Sequence, residues 1–154
     1  PIMNASLDGD EIILHDGVHM GVAVALPEGL IVPKLRDADK KGLLEIARAA
    51  REIADKARKG ALGIDEISGG TFTISNLGMF GQDGFTPILN PPETGIIGVG
   101  RVKEKPAVHE GEIKIRSMMT LSLTWDHRVA DGAPAAAFLQ TVGKYLEEPR
   151  LMMA

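Results

Sequence analysis

The chain has 154 residues, with 17 basic against 21 acidic side chains and a formal charge of −4, which is the size of one ordinary domain. Its 44% hydrophobic and 25% charged content, with a mean hydropathy of +0.03, excludes disorder or a collagen-like rod as the main state. No long Lys/Arg run and a single Trp and Tyr leave no electrostatic or stacking surface for nucleic acid, and no apolar stretch reaches the roughly 18 residues that span a bilayer, so neither partner is expected.

Residues 11–14 and 18–26 are short apolar segments on either side of Asp16-Gly17, a pair suited to a tight hairpin turn. Residues 30–35 follow a Pro-Glu-Gly turn, and Pro33, which cannot donate to a ladder, makes them an edge strand or an irregular extended segment. From 41 to 59, Leu44, Ala47, Ala50, Ile53, Ala54 and Ala57 recur every three to four residues, and this predicts an amphipathic helix ended by Gly60. Residues 71–75 alternate and are rich in β-branched side chains, whereas 76–84 hold three glycines and read as a loop.

Residues 86–89, 94–102, 107–115 and 118–124 read as further strands, with the third interrupted at Glu110-Gly111. A second helix is predicted over 132–147, with Asp131 as its N-cap. Together these elements define an α+β class with a mixed, largely antiparallel sheet covered by helices.

With no cysteine, disulfides, thiolate zinc sites and cysteine nucleophiles are excluded, and His15, His19, His109 and His127 are too scattered for a local metal cluster. The first residues lack the pattern of a signal peptide, and the absent initiating Met suggests a processed or excised piece. One segment stands out chemically: Asp126-His127-Arg128-Val129-Ala130-Asp131-Gly132, placed between a strand bearing Thr120, Ser122 and Thr124 and the start of the second helix. A histidine on such a rigid junction can act as a general base near neutral pH. Its alternatives are an ordinary polar loop residue at 127, a helix cap at 131, and a solvated pair of Asp126 with Arg128.

Asp-His-Arg-x-x-Asp-Gly followed by a small-residue helix resembles the active-site motif of the dihydrolipoamide acyltransferases, the core components of 2-oxo acid dehydrogenase complexes, which share the chloramphenicol acetyltransferase fold. Thr71-Phe72-Thr73-Ile74-Ser75-Asn76-Leu77-Gly78-Met79-Phe80-Gly81 and Phe85-Thr86-Pro87-Ile88-Leu89-Asn90-Pro91-Pro92-Glu93 match two more of its stretches in order and spacing. Asn4-Ala5-Ser6 and Gly29-Leu30-Ile31-Val32-Pro33 extend the likeness over essentially the whole chain. Chloramphenicol acetyltransferases more typically begin the motif with His-His, so Asp126-His127 favours the dehydrogenase-complex branch.

The resemblance implies transfer of an acyl group, acetyl in the first instance, between the thiol of coenzyme A and a dihydrolipoyl group on a separate lipoyl domain. It makes His127 the base, Ser75 the oxyanion donor and Asp131 a residue that caps the helix and fixes the His127 loop, while Ser75, Asn76 and Gly100 line the CoA channel. It also implies that residues 1–154 are the C-terminal portion of the catalytic domain, with the lipoyl and peripheral subunit-binding domains outside them. The E1 and E3 components would be reached through those domains, and a homotrimer packing into a larger shell is expected. The compartment is the cytoplasm of a bacterium or archaeon, or the mitochondrial matrix of a eukaryote.

The runner-up reading is a non-catalytic scaffold subunit, or a truncated inactive core, of the same fold. A Ser/His/Asp hydrolase would need an elbow such as Gly-x-Ser-x-Gly, which Ile74-Ser75-Asn76-Leu77 does not provide.

Overall fold

The computed structural model describes residues 1–152. Strands β1 (Ala5–Asp8) and β2 (Glu11–Leu14) form an antiparallel ribbon that turns at Gly9, whose φ of 56° suits glycine. The hairpin expected around Asp16-Gly17 is therefore displaced by one turn. Neither of those residues takes a positive φ, and the Asn4 side-chain amide donates to the carbonyls of His15 and Gly17 at 2.9 and 3.1 Å. A side chain reaching in from outside satisfies that bend, so no ladder is needed across it.

The single strand expected over 18–26 is two. β3 (Met20–Val22) lies in the central sheet, and after Ala23 the chain leaves it as β4 (Val24–Leu26), which pairs with β5 (Gly29–Ile31) around Pro27-Glu28. Pro33 divides residues 30–35 and leaves β6 (Lys34–Leu35) on the sheet edge, where a residue without an N–H donor belongs. Helix α1 (Leu43–Arg58) falls within the expected range and buries Ile53 and Ala57 on its side toward β4 and β6, whereas Leu44 and Ala47 of the expected face are exposed.

β7 (Phe72–Asn76) and β8 (Gly95–Val99) come next. Residues 86–89, expected as a strand, form none: Pro87 removes a ladder donor from the middle of this stretch, and Pro91 and Pro92 follow closely after it. They cross one face of the sheet as extended chain, and Phe85 and Pro87 occupy the space into which a Cβ on Gly98 would point. β9 (Lys103–His109) and β10 (Glu112–Met118) form a separate ribbon turned by Glu110 and Gly111, both at positive φ as a two-residue hairpin requires. β11 (Leu121–Trp125) leads through residues 126–131 into α2 (Gly132–Glu147), whose bounds are those the periodicity predicts.

The central sheet has the order β11-β8-β7-β3-β6. Its inner strands β8, β7 and β3 are parallel, and the outer two pair antiparallel to them. α2 covers one face, with Phe138 against Phe72 at a ring separation of 5.4 Å and the fully buried Ala135 in the same cluster as Met3, Ile97 and Ala130. Side chains alternate along a strand. Phe72 points to the helix, so Thr73 and Ser75 point to the opposite face, beneath residues 85–90.

Candidate active site

Ser75 is half-buried near the C-terminal end of β7. It lines a cleft of 360 Å³ whose walls are mostly apolar, including Ala23, Leu30, Val32, Phe85 and Ile88, with Thr73, Thr86 and Asn90 as the other polar members. Asn76 is exposed, and its side-chain carbonyl accepts from the Gly78 N–H at 2.8 Å, closing the turn after the strand. Gly100 lies beside them, because Leu77 N–H donates to the Val99 carbonyl at 3.1 Å. The sheet thus brings Ser75, Asn76 and Gly100 to one end of β7 and β8.

Gly100 is buried, its N–H donates to the Thr120 carbonyl at 2.9 Å, and a Cβ on it would meet the Asp83 carbonyl oxygen far inside van der Waals contact. Its smallness is a packing requirement of the loop over it. Asp83 in that loop is tied to Arg101 and Lys103 at 2.5 and 2.7 Å, and these cations hold its carboxyl far below the usual carboxylate range. Gly100→Ala should cost about 1–3 kcal/mol of unfolding free energy, read by denaturant titration. Wild-type stability would show that the loop yields.

His127 and Asp131 stand elsewhere, on the loop between β11 and α2. The Asp126 N–H donates to the Thr94 carbonyl at 2.9 Å, and the N–H groups of Val129 and Ala130 donate to the Asp126 carbonyl at 3.0 and 3.2 Å. The indole N–H of Trp125 reaches the Ala130 carbonyl at 2.9 Å. Val129 and Ala130 are buried, so this loop is a fixed frame. On it the His127 side chain is 68% exposed, its Nδ1 3.9 Å from an Asp131 carboxylate oxygen and its ring 5.9 Å from that of Trp125. Arg128 clasps Asp126 through Nε and a terminal nitrogen, at 3.0 and 2.6 Å, and this hydrogen-bonded cation keeps the Asp126 carboxyl below its ordinary range.

Asp131 occupies the N-cap position with extended backbone, but its side chain makes no capping hydrogen bond. The expectation of a side-chain cap is corrected: the carboxylate, 89% exposed, faces His127 instead.

Register separates the two groups of residues. Ser75 is level with Gly98 on β8 and so with Ser122 on β11, whereas Trp125 is level with Gly95. Three residues along the strand and two strands across put Ser75 and Trp125 ~14 Å apart, and His127 follows Trp125. One chain does not bring the candidate base and the candidate oxyanion donor together.

Sequence reasoning missed the polar cluster behind the cleft, in which Lys34 and Glu93 are bonded to the lining residues Thr73 and Asn90. The available signal was one lysine at the end of an apolar run and one glutamate directly after Asn-Pro-Pro, two opposite charges in surroundings that would bury them. Among the described residues no group of three His, Asp or Glu could hold a metal, and no helix is long and apolar enough to cross a membrane.

The mixed sheet covered by a helix that follows the His127 loop is the chloramphenicol acetyltransferase fold. A chloramphenicol acetyltransferase superposes with a TM-score of 0.54 at 16% identity, covering 95% of this chain and 70% of its own, a likeness of fold alone. Residues 1–154 match the family 2-oxoacid dehydrogenases acyltransferase (catalytic domain), and the chain belongs to it.

The chain is 52% identical over 154 residues to the dihydrolipoyllysine-residue acetyltransferase component of the acetoin cleaving system of Bacillus subtilis. It is 42% identical over 153 residues to the succinyltransferase component of the Haemophilus influenzae 2-oxoglutarate dehydrogenase complex. Each alignment takes in 99% of this chain, which spans only 38% and 37% of those relatives.

Among solved structures, the Azotobacter vinelandii dihydrolipoamide acetyltransferase, investigated for the role of a serine, a histidine and an asparagine in its catalytic mechanism, matches with a TM-score of 0.94 at 43% identity. The cubic core of a pyruvate dehydrogenase multienzyme complex matches with a TM-score of 0.94 at 44% identity. Both cover 100% of this chain and 64% of their own.

Proposed function

We propose that residues 1–154 form the C-terminal portion of an acyltransferase domain that moves an acetyl group between the thiol of CoA and a dihydrolipoyl group carried on a separate lipoyl domain. The observation that carries this reading is a shared spacing. The serine, histidine and asparagine investigated in the Azotobacter enzyme are 52 and 4 residues apart, as are Ser75, His127 and Asp131 here. The third position differs, aspartate for asparagine, and both can hold the histidine ring.

A thiol with a pKa of about 8.5 is only a few per cent ionised at neutral pH. The neutral imidazole of His127 takes its proton as the sulfur attacks the thioester carbonyl, forming a carbon–sulfur bond and a tetrahedral oxyanion. The Ser75 hydroxyl donates a hydrogen bond to that oxyanion and is not itself a nucleophile. Collapse of the intermediate breaks the original carbon–sulfur bond, and the departing thiolate recovers the proton from the imidazolium. With the Asp131 carboxylate 3.9 Å from Nδ1, Nε2 is the ring nitrogen left for the thiol.

Because the register keeps Ser75 and His127 of one chain apart, we assign each working site to two neighbouring chains of a homotrimer. The trimer packs into a larger shell, as the related cubic core supports, and E1 and E3 components bind through domains outside these residues. The compartment is the cytoplasm, or the mitochondrial matrix in a eukaryote.

Acetyl rather than succinyl is supported by the greater identity to the acetoin-system enzyme and by the cleft itself. Among the described residues of this chain no cationic side chain lines it, and the lysine beneath it is already paired with Glu93. A panel of acyl-CoA donors with dihydrolipoamide, run on this chain and on an N-terminally extended form, tests the reading. Acetyl should transfer fastest; preferred succinyl transfer, or none with the extended form, would contradict it.

Asp131→Asn should keep most of the activity. Asp131→Ala should lower turnover through a looser imidazole while leaving the thermal midpoint nearly unchanged, since no capping bond is lost. An Asn variant as inactive as His127→Ala would show that the charge itself is needed.

A further inference from the structure

Behind two lining residues of the Ser75 cleft, Thr73 and Asn90, lies a buried charge pair for which the acyl-transfer steps have no use. Lys34 Nζ and Glu93 Oε1 are 2.6 Å apart, with side chains 3% and 2% exposed. Glu93 Oε2 accepts from the Thr73 hydroxyl at 2.5 Å, and Asn90 Nδ2 donates to Oε1 at 2.9 Å. A glycine clears the room, since a Cβ on Gly70 would lie within 2.6 Å of both Glu93 and Lys34. Taking two ions out of water carries a desolvation cost that an apolar pair of the same volume avoids, so stability is a weak account of this arrangement.

Its partners come from three parts of the chain that have to be held in register. Lys34 is on β6, Thr73 on β7, and Asn90 and Glu93 belong to the segment that closes the cleft over the sheet. Thr73 and Asn90 both line the cleft with Ser75, and Thr73 precedes Ser75 by two residues on the same face of β7. We propose that Glu93, anchored by Lys34, is a positioning residue for Ser75: by gripping Thr73 and Asn90 it sets the gap between the strand that carries the hydroxyl and the wall facing it. The carboxylate suits this task because two oxygens serve three donors, whereas the isosteric amide has one acceptor oxygen and turns an NH2 group toward a donor. This inference rests on the reading of Ser75 as the oxyanion donor.

The test uses the assembled acyltransferase with its whole catalytic domain, and compares Thr73→Val, Glu93→Gln and Ser75→Ala with the double variants T73V/S75A and E93Q/S75A. Assembly size and thermal midpoint are measured beside steady-state transfer between acetyl-CoA and dihydrolipoamide. Thr73→Val and Glu93→Gln should lower kcat by roughly tenfold to a hundredfold, the cost of a misplaced group, with KM for acetyl-CoA changed by no more than about twofold. In the Ser75→Ala background neither should lower kcat further, because groups that act through one hydroxyl are not additive.

Unchanged kcat in correctly assembled Thr73→Val and Glu93→Gln overturns the proposal, as does an undiminished further loss in the double variants. If Glu93→Gln fails to assemble, Thr73→Val, which leaves the ion pair intact, decides alone. Wild-type turnover in Ser75→Ala would remove the reading of the site itself and this proposal with it. An impaired Ser75→Ala with a wild-type Thr73→Val would remove only the positioning role.

Discussion

Replacing His127 with alanine should reduce transfer of an acetyl group to dihydrolipoamide by a factor on the order of a thousand, the middle of the range that a positioned base contributes. Assembly and thermal unfolding should be nearly unchanged. The ring is 68% exposed, and the loop around it is fixed by bonds that do not involve it: Asp126 to Thr94, Trp125 to Ala130, and the backbone turn closed on the Asp126 carbonyl. The loss should therefore lie in kcat at saturating CoA, with the folded assembly intact. Turnover near wild type would remove His127 as the base.

Ser75→Ala should lower kcat by about a hundredfold or more, the usual consequence of deleting one oxyanion donor. KM for acetyl-CoA should move little, because the hydroxyl contributes in the transition state and not in the ground state. An equal loss in ground-state binding would instead make Ser75 a binding residue of the cleft.

Both long helices and the chemically important loop could be read from the chain because each is specified locally. The spacing of apolar residues marks the extent of α1, and the bounds of α2 follow from Asp131-Gly132 at one end and the end of the periodicity at the other. The His127 loop declares itself through adjacent charged residues between a strand and a helix. What was not legible depends on distant partners.

The first hairpin was misplaced because the Asn4 amide, 13 residues from Gly17 in sequence, satisfies the carbonyls of the later bend, and no local pattern announces that contact. Residues 86–89 are β-branched enough to look like a strand, yet Pro87 within them and the tight packing of Phe85 and Pro87 over Gly98 make them a wall of the cleft. Lys34 and Glu93 are 59 residues apart, so their pairing emerges only when β6, β7 and the closing segment assemble. The separation of Ser75 from His127 is likewise a property of register and strand order, since the two motifs say what each residue can do and not which chain supplies it.

The division of each site between two chains is measured most directly by mixing. A His127→Ala protein with its whole catalytic domain is unfolded, combined one to one with a Ser75→Ala protein of the same length, and refolded, with mixed trimers confirmed by mass. A closed ring uses one surface for one neighbour and a different surface for the other. A working site therefore needs the serine of a His127→Ala chain and the histidine of an adjacent Ser75→Ala chain. Random assembly should then restore roughly one quarter of wild-type turnover, about one half times one half, while each parent alone stays low. Recovery no greater than the average of the two parents in confirmed mixed trimers would place Ser75 and His127 in the site of a single chain, against the separation that the register of β7, β8 and β11 sets.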